Sequence, residues 1–146
     1  MSHVADVQLE IKDLNALKAA VESLGAIFVE GQQTFKWFGE FMNDWSSNRA
    51  ASNRHDAKDF GKCVHAIKVE GVEYEIGVVK TADGYSLLYD SWGPGRGLEE
   101  KFGEGMPRIK QAYSTEVSRR ELKRKGYRVT TVNNADGSVQ LKAVRS

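Results

Sequence analysis

Val7, Leu9 and Ile11 alternate with Asp6, Gln8, Glu10 and Lys12, the two-residue period of a strand with one face buried. The period then changes. Leu14, Leu17, Val21 and Leu24 recur at spacings of three and four, which predicts an amphipathic helix. Asp13 stands where an N-cap belongs, its carboxylate able to accept from the free amides of the first turn, and Gly25 supplies the C′ position. Residues 26–29 read as a short second strand.

The stretch 62–97 carries three further strands. Cys63, His65, Ile67 and Val69 fall on one face; Val72, Tyr74, Ile76 and Val78 follow after a turn at Glu70-Gly71. Ala82-Asp83-Gly84 is a hairpin signal, because glycine reaches the backbone conformations a tight turn needs. Tyr85, Leu87 and Tyr89 then alternate with Ser86, Leu88 and Asp90, and Gly93-Pro94-Gly95 ends the run.

Between these two regions, Phe35, Phe38, Phe41, Met42 and Trp45 recur at helical spacing with Trp37 off the stripe, and predict a short aromatic helix. Large rings dominate buried area, so one reading is that they seal an end of the core. The other is an exposed patch for a partner or a stacked base. Residues 46–62 show little periodicity and read as a mobile loop.

After the meander, residues 98–102 suggest a short helical turn. Pro107 suits the first position of a long helix, where a missing amide costs nothing. Ile109, Ala112, Tyr113 and Val117 form its buried stripe, and Gly126 ends it. Strands at 127–132 and 138–144, joined by Asn133-Asn134-Ala135-Asp136-Gly137, close the chain. The fold class expected is α+β: a mainly antiparallel sheet of six or seven strands with two principal helices packed on one face. One domain is expected over 1–146, with an aromatic and polar insertion near 33–61.

A net charge of +1 argues against whole-molecule attraction to nucleic acid or anionic membrane, though not against a local patch. One cysteine, Cys63, excludes an internal disulfide and suits a reducing compartment. No apolar run approaches the roughly 20 residues that span a bilayer, and the amino terminus lacks a basic-then-apolar leader pattern. A cytoplasmic protein with no membrane partner is expected.

Three clusters could carry chemistry. The helix after Pro107 bears Arg108, Lys110, Arg119, Arg120, Lys123, Arg124 and Lys125 against Glu116 and Glu121, a surplus of +5 concentrated near its end. Cations there complement the helix dipole; Arg119, Arg120, Lys123 and Arg124 could equally contact the phosphates of RNA or DNA. Asp90 and Trp92 sit at a strand end beside a glycine turn holding Arg96, where a pocket mouth tends to form. GPGRG lacks the lysine and the following Ser or Thr of a phosphate loop. His55, Cys63 and His65 fall short of zinc-ligand spacing, so neither a metal nor another cofactor is expected, and no catalytic motif stands out.

The opening MSHVADVQLEIKDLNALKAAVESLG, the segment YEIGVV followed by ADG and YSLLYDSWG, then QAYSTEVSRRELKRKGY and a terminal strand pair around ADGSVQL carry a resemblance. In that order they resemble the Ycf thirty-five-like family of plastids and cyanobacteria, which has bacterial and phage relatives. The resemblance implies no assigned enzymatic activity. The leading expectation is therefore a non-enzymatic binding module that recognises a protein or small anionic ligand through Asp90, Trp92 and Arg96. A nucleic-acid-binding protein using the basic helix end, and an enzyme with an unidentified site, are the alternatives.

Overall fold

The computed structural model describes residues 4–37 and 61–145. Its elements run β1 (Val4–Ile11), α1 (Leu14–Ser23), β2 (Ile27–Glu30), β3 (His65–Lys68), β4 (Ile76–Thr81), β5 (Gly84–Asp90), a 3-10 turn (Gly93–Gly95), α2 (Arg96–Phe102), α3 (Pro107–Arg124), β6 (Tyr127–Asn133) and β7 (Val139–Arg145). The fold is α+β and its strands pair antiparallel. Seven strands are present among the described residues, divided between two sheets: five in the order β1-β5-β4-β3-β2, and a separate ribbon of β6 and β7.

Helices α1, α2 and α3 supply the core on one face of the larger sheet. Ala16, Leu17, Ala20 and Val21 of α1, Leu98 and Phe102 of α2, and Ile109 and Tyr113 of α3 pack on Val7, Ile11, Ile67, Ile76, Val78, Leu87 and Tyr89. The spacing in α1 dictates this arrangement, and Asp13 caps it as expected, its carboxylate accepting from Ala16 N at 3.0 Å. The start of α1 is also held from the far end of the chain. The Tyr113 hydroxyl accepts from the backbone amides of Lys12 and Asp13 at 3.0 and 3.2 Å. Tyr89, buried in β5, donates to the Glu99 carboxylate at 2.8 Å and so ties α2 to the sheet.

The opposite face of the sheet is covered too. Val4, Ala66 and Leu88 pack there with Phe35, Trp37 and Cys63. The cover is fastened by a short antiparallel ladder in which Phe35 N donates to Gly61 O, Cys63 N donates to Gln33 O, and Thr34 bridges Lys62. Buried Glu75 completes it, accepting from Lys36 N and Gln32 Nε2 and pairing with Lys68 at 3.2 Å. Gly77 is required beneath it, since a Cβ there would lie 2.2 Å from the Phe35 ring.

Several local expectations change. Phe35 and Trp37 lie in extended chain, because the ladder to 61–63 replaces helical pairing. Residues 38–60, with the rest of the aromatic stripe, His55 and most of the expected loop, lie outside the described residues. Strand β4 begins at Ile76, so Val72 and Tyr74 belong to the connection. In β3 Ala66 and Ile67 are both buried, since the sheet is covered on both sides. Val117 is 37 % exposed, beyond the part of α3 that reaches the core.

Candidate functional site

Helix α3 starts at Pro107 after Met106, whose backbone is in the left-handed region (φ 62°) and whose side chain is fully buried. Burial of Met106, Ile109 and Tyr113 orients the helix, and the polar remainder projects outward. Its end carries the cations. Glu116 sits among them, with Arg119 Nη2 and Arg120 Nε at 2.6 and 2.9 Å from its carboxylate. Hydrogen bonding from Arg119 holds the Glu116 carboxyl below its ordinary range, with Arg120 adding to it against the opposing effect of burial. Arg120 also reaches Asn15 O of α1 at 3.4 Å. Glu121 takes Arg124 at 2.7 Å and Lys125 at 3.7 Å.

Three of the four cations expected to meet phosphate are thus already engaged with carboxylates. Lys123 has no acidic partner among the described residues. Arg124, on exposed Glu121, remains able to contact phosphate, because such surface pairs contribute only about 0–1 kcal/mol. Arg119 is held more firmly, by two hydrogen bonds to the half-buried Glu116.

Strands β6 and β7 extend this surface. Gly126 (φ 91°) turns the chain out of α3 into a seven-pair ladder from Tyr127↔Arg145 to Asn133↔Val139. Opposed residues of an antiparallel pair share a face. Thr131, Asn133 and Val139 line a groove with α3, so the face opposite carries Arg128, Thr130, Val132, Gln140, Lys142 and Val144. Arg128 and Lys142 have no acidic partner among the described residues. The Arg145 guanidinium lies 5.7 Å from the centre of the Tyr127 ring. These ribbon cations were not among the residues the sequence singled out. The signal available was the absence of any acid in either strand.

The result is strong charge segregation. Residues 116–146 hold eight Lys and Arg against Glu116, Glu121 and Asp136, a net +5. Residues 4–37 and 61–115 hold ten Lys and Arg against thirteen Asp and Glu, a net −3.

The second expected cluster is arranged differently. Asp90 is fully buried, and its carboxylate accepts from Trp92 N at 3.0 Å. Trp92 is 37 % exposed and precedes the 3-10 turn; Arg96 is exposed at the start of α2, without an acidic partner among the described residues. Trp92 and Arg96 are therefore both exposed while Asp90 faces inward. Glycine at 95 is explained by packing, since a Cβ would collide with the Asp90 carbonyl oxygen.

Cys63 and His65 are each committed locally. The Cys63 thiol donates to Gln32 O, and burial, with the nearby Glu75 charge, pushes its pKa up to about 11. His65 Nδ1 accepts from Gly31 N at 3.0 Å, and its ring stands 5.4 Å from that of Phe28. Among the described residues no three His, Cys, Asp or Glu side chains gather as a metal site, and no helix is long and apolar enough to cross a membrane. A groove of about 530 Å³ between α1, α3 and the ribbon is floored by Ala20, Leu24, Ala112 and Val139. Comparison of the chain with family models, curated proteins and solved structures yields no match.

Proposed function

We propose that the chain is a non-enzymatic binding module for nucleic acid, and that the end of α3 with the β6–β7 ribbon is its contact surface. One observation supports the reading: a net +5 over residues 116–146, against −3 over residues 4–37 and 61–115. Such a surplus attracts an anionic polymer to the surface that carries it. Lys123, Arg128 and Lys142, which lack acidic partners among the described residues, are the first contacts; Arg119, Arg120 and Arg124 join as phosphate competes with Glu116 and Glu121. A cytoplasmic setting, and membership of the Ycf thirty-five-like family on the segments quoted above, belong to the same proposal.

The test is a fluorescence-anisotropy titration with short DNA and RNA at about 50 mM salt, where surface electrostatics is strongest. Log affinity should fall steeply with log salt, and each of Lys123→Gln and Arg124→Gln should flatten that slope by nearly one unit. Absence of binding at tens of micromolar under these conditions would remove the reading.

A second reading has its own support, in the exposed Trp92 beside Arg96. An indole and a guanidinium on one turn suit a protein surface or a small anion, by stacking and bidentate hydrogen bonding. Binding of inorganic phosphate that is lost with Trp92→Ala or Arg96→Gln and retained in the α3 variants would favour this turn.

A further inference from the structure

We infer that the nucleic acid is double-stranded DNA of B form, and that the outer face of the β6–β7 ribbon enters its major groove. This rests on the nucleic-acid reading above and adds the form of the ligand and the element that meets it. The ribbon stands apart from the five-stranded sheet, with one face toward α3. Seven residues per strand at about 3.4 Å each make an element over 20 Å long. A two-stranded ribbon fits the roughly 12 Å major groove of B-DNA, whereas the deep, narrow major groove of A-form RNA does not admit side chains.

The outer face has the chemistry for that groove. Its cross-strand pairs are Arg128 with Val144, Thr130 with Lys142, and Val132 with Gln140. Arg128 and Lys142 suit guanine O6 and N7 or flanking phosphates; Gln140 and Thr130 can hydrogen-bond base edges; and the valine methyls, of which Val144 is 64 % exposed, suit thymine methyls. The end of the ribbon that carries Arg128 adjoins Lys123, Arg124 and Lys125 at the close of α3, where the phosphate backbone would pass. Single strands are held instead by stacking on aromatic rings. The outer face offers no ring, and Tyr127 lies on the other face with Arg145 over it.

The decisive experiment is an anisotropy titration of the full chain with a DNA duplex of about 20 base pairs, one of its single strands, and the matching RNA duplex, at about 50 and 200 mM salt. The DNA duplex is expected to bind tightest. The double variant Arg128→Gln, Lys142→Gln, on an exposed face, should weaken it at least about tenfold and flatten the salt slope by one to two units. Methylation of guanine N7 should interfere, while a minor-groove drug should not compete. Equal or tighter binding of the single strand, or competition by the minor-groove drug, would overturn the inference. Wild-type affinity in the ribbon double variant, with loss in Lys123→Gln and Arg124→Gln, would leave nucleic-acid binding standing and remove the ribbon. No binding to any of the three probes would remove both.

Discussion

Removing one oxygen atom, by Tyr113→Phe, tests whether α3 holds the start of α1. The ring stays in the core, so the perturbation is confined to the hydroxyl that accepts from Lys12 N and Asp13 N. A satisfied hydrogen bond contributes about 0.5–1.5 kcal/mol net, and a buried donor left without one costs about 1–3 kcal/mol. Both amides are partly buried, which permits some replacement by water, so the two together set an expected loss of about 2 kcal/mol. With a urea m-value of about 2 kcal/mol/M, the midpoint should fall by about 1 M at unchanged slope. In a thermal melt the same loss is roughly 4–8 °C for a chain of this size. A loss below about 0.5 kcal/mol would refute the reasoning and mean that Asp13 and the helix amides hold α1 unaided.

Leu17 is fully buried against the sheet, and Leu17→Ala should cost about 2–5 kcal/mol in a urea melt; a loss under about 1 kcal/mol would show that α1 docks elsewhere. Gly77→Ala should cost about 1–3 kcal/mol by driving a methyl into the Phe35 ring, and much less in a Phe35→Leu background, so equal costs in both would exclude the contact. The folded-state pKa of Glu116 is depressed, so its stabilising effect is present at neutral pH and is lost as pH falls through the folded pKa. Glu116→Gln should therefore flatten the acid limb of a stability-against-pH curve; an unchanged limb would show that Arg119 and Arg120 do not stabilise it.

Legibility of the fold in the sequence followed how locally each element is determined. Strand β1, helix α1 with Asp13 and Gly25, the Ala82-Asp83 hairpin and Pro107 were all readable, because period, cap and turn chemistry act over a few residues. The division of seven strands into five and two was not. It depends on Gly126 turning β6 away from the sheet, and no hydrophobic period encodes which strand a neighbour will be. The extended path of Phe35 and Trp37 was hidden for a related reason: rings at helical spacing describe a helix, and only the long-range ladder to Gly61 and Cys63 overrides it.

The candidate sites divide along the same line. Arg119, Arg120, Lys123 and Arg124 were legible as a dense run on one helix, while Arg128 and Lys142 became part of that surface only through strand register, which sets them on one face two positions apart. Glu116 alters the meaning of the run. It holds Arg119 and Arg120, of which Arg120 also reaches Asn15 O of α1, so on the proposed reading they would become available to phosphate only by exchange. The ribbon cations carry no such exchange cost. If this surface meets nucleic acid as proposed, early contact should begin at Lys123 and the ribbon and spread to the arginines of α3, while the core stays with the five-stranded sheet and the helices packed on it.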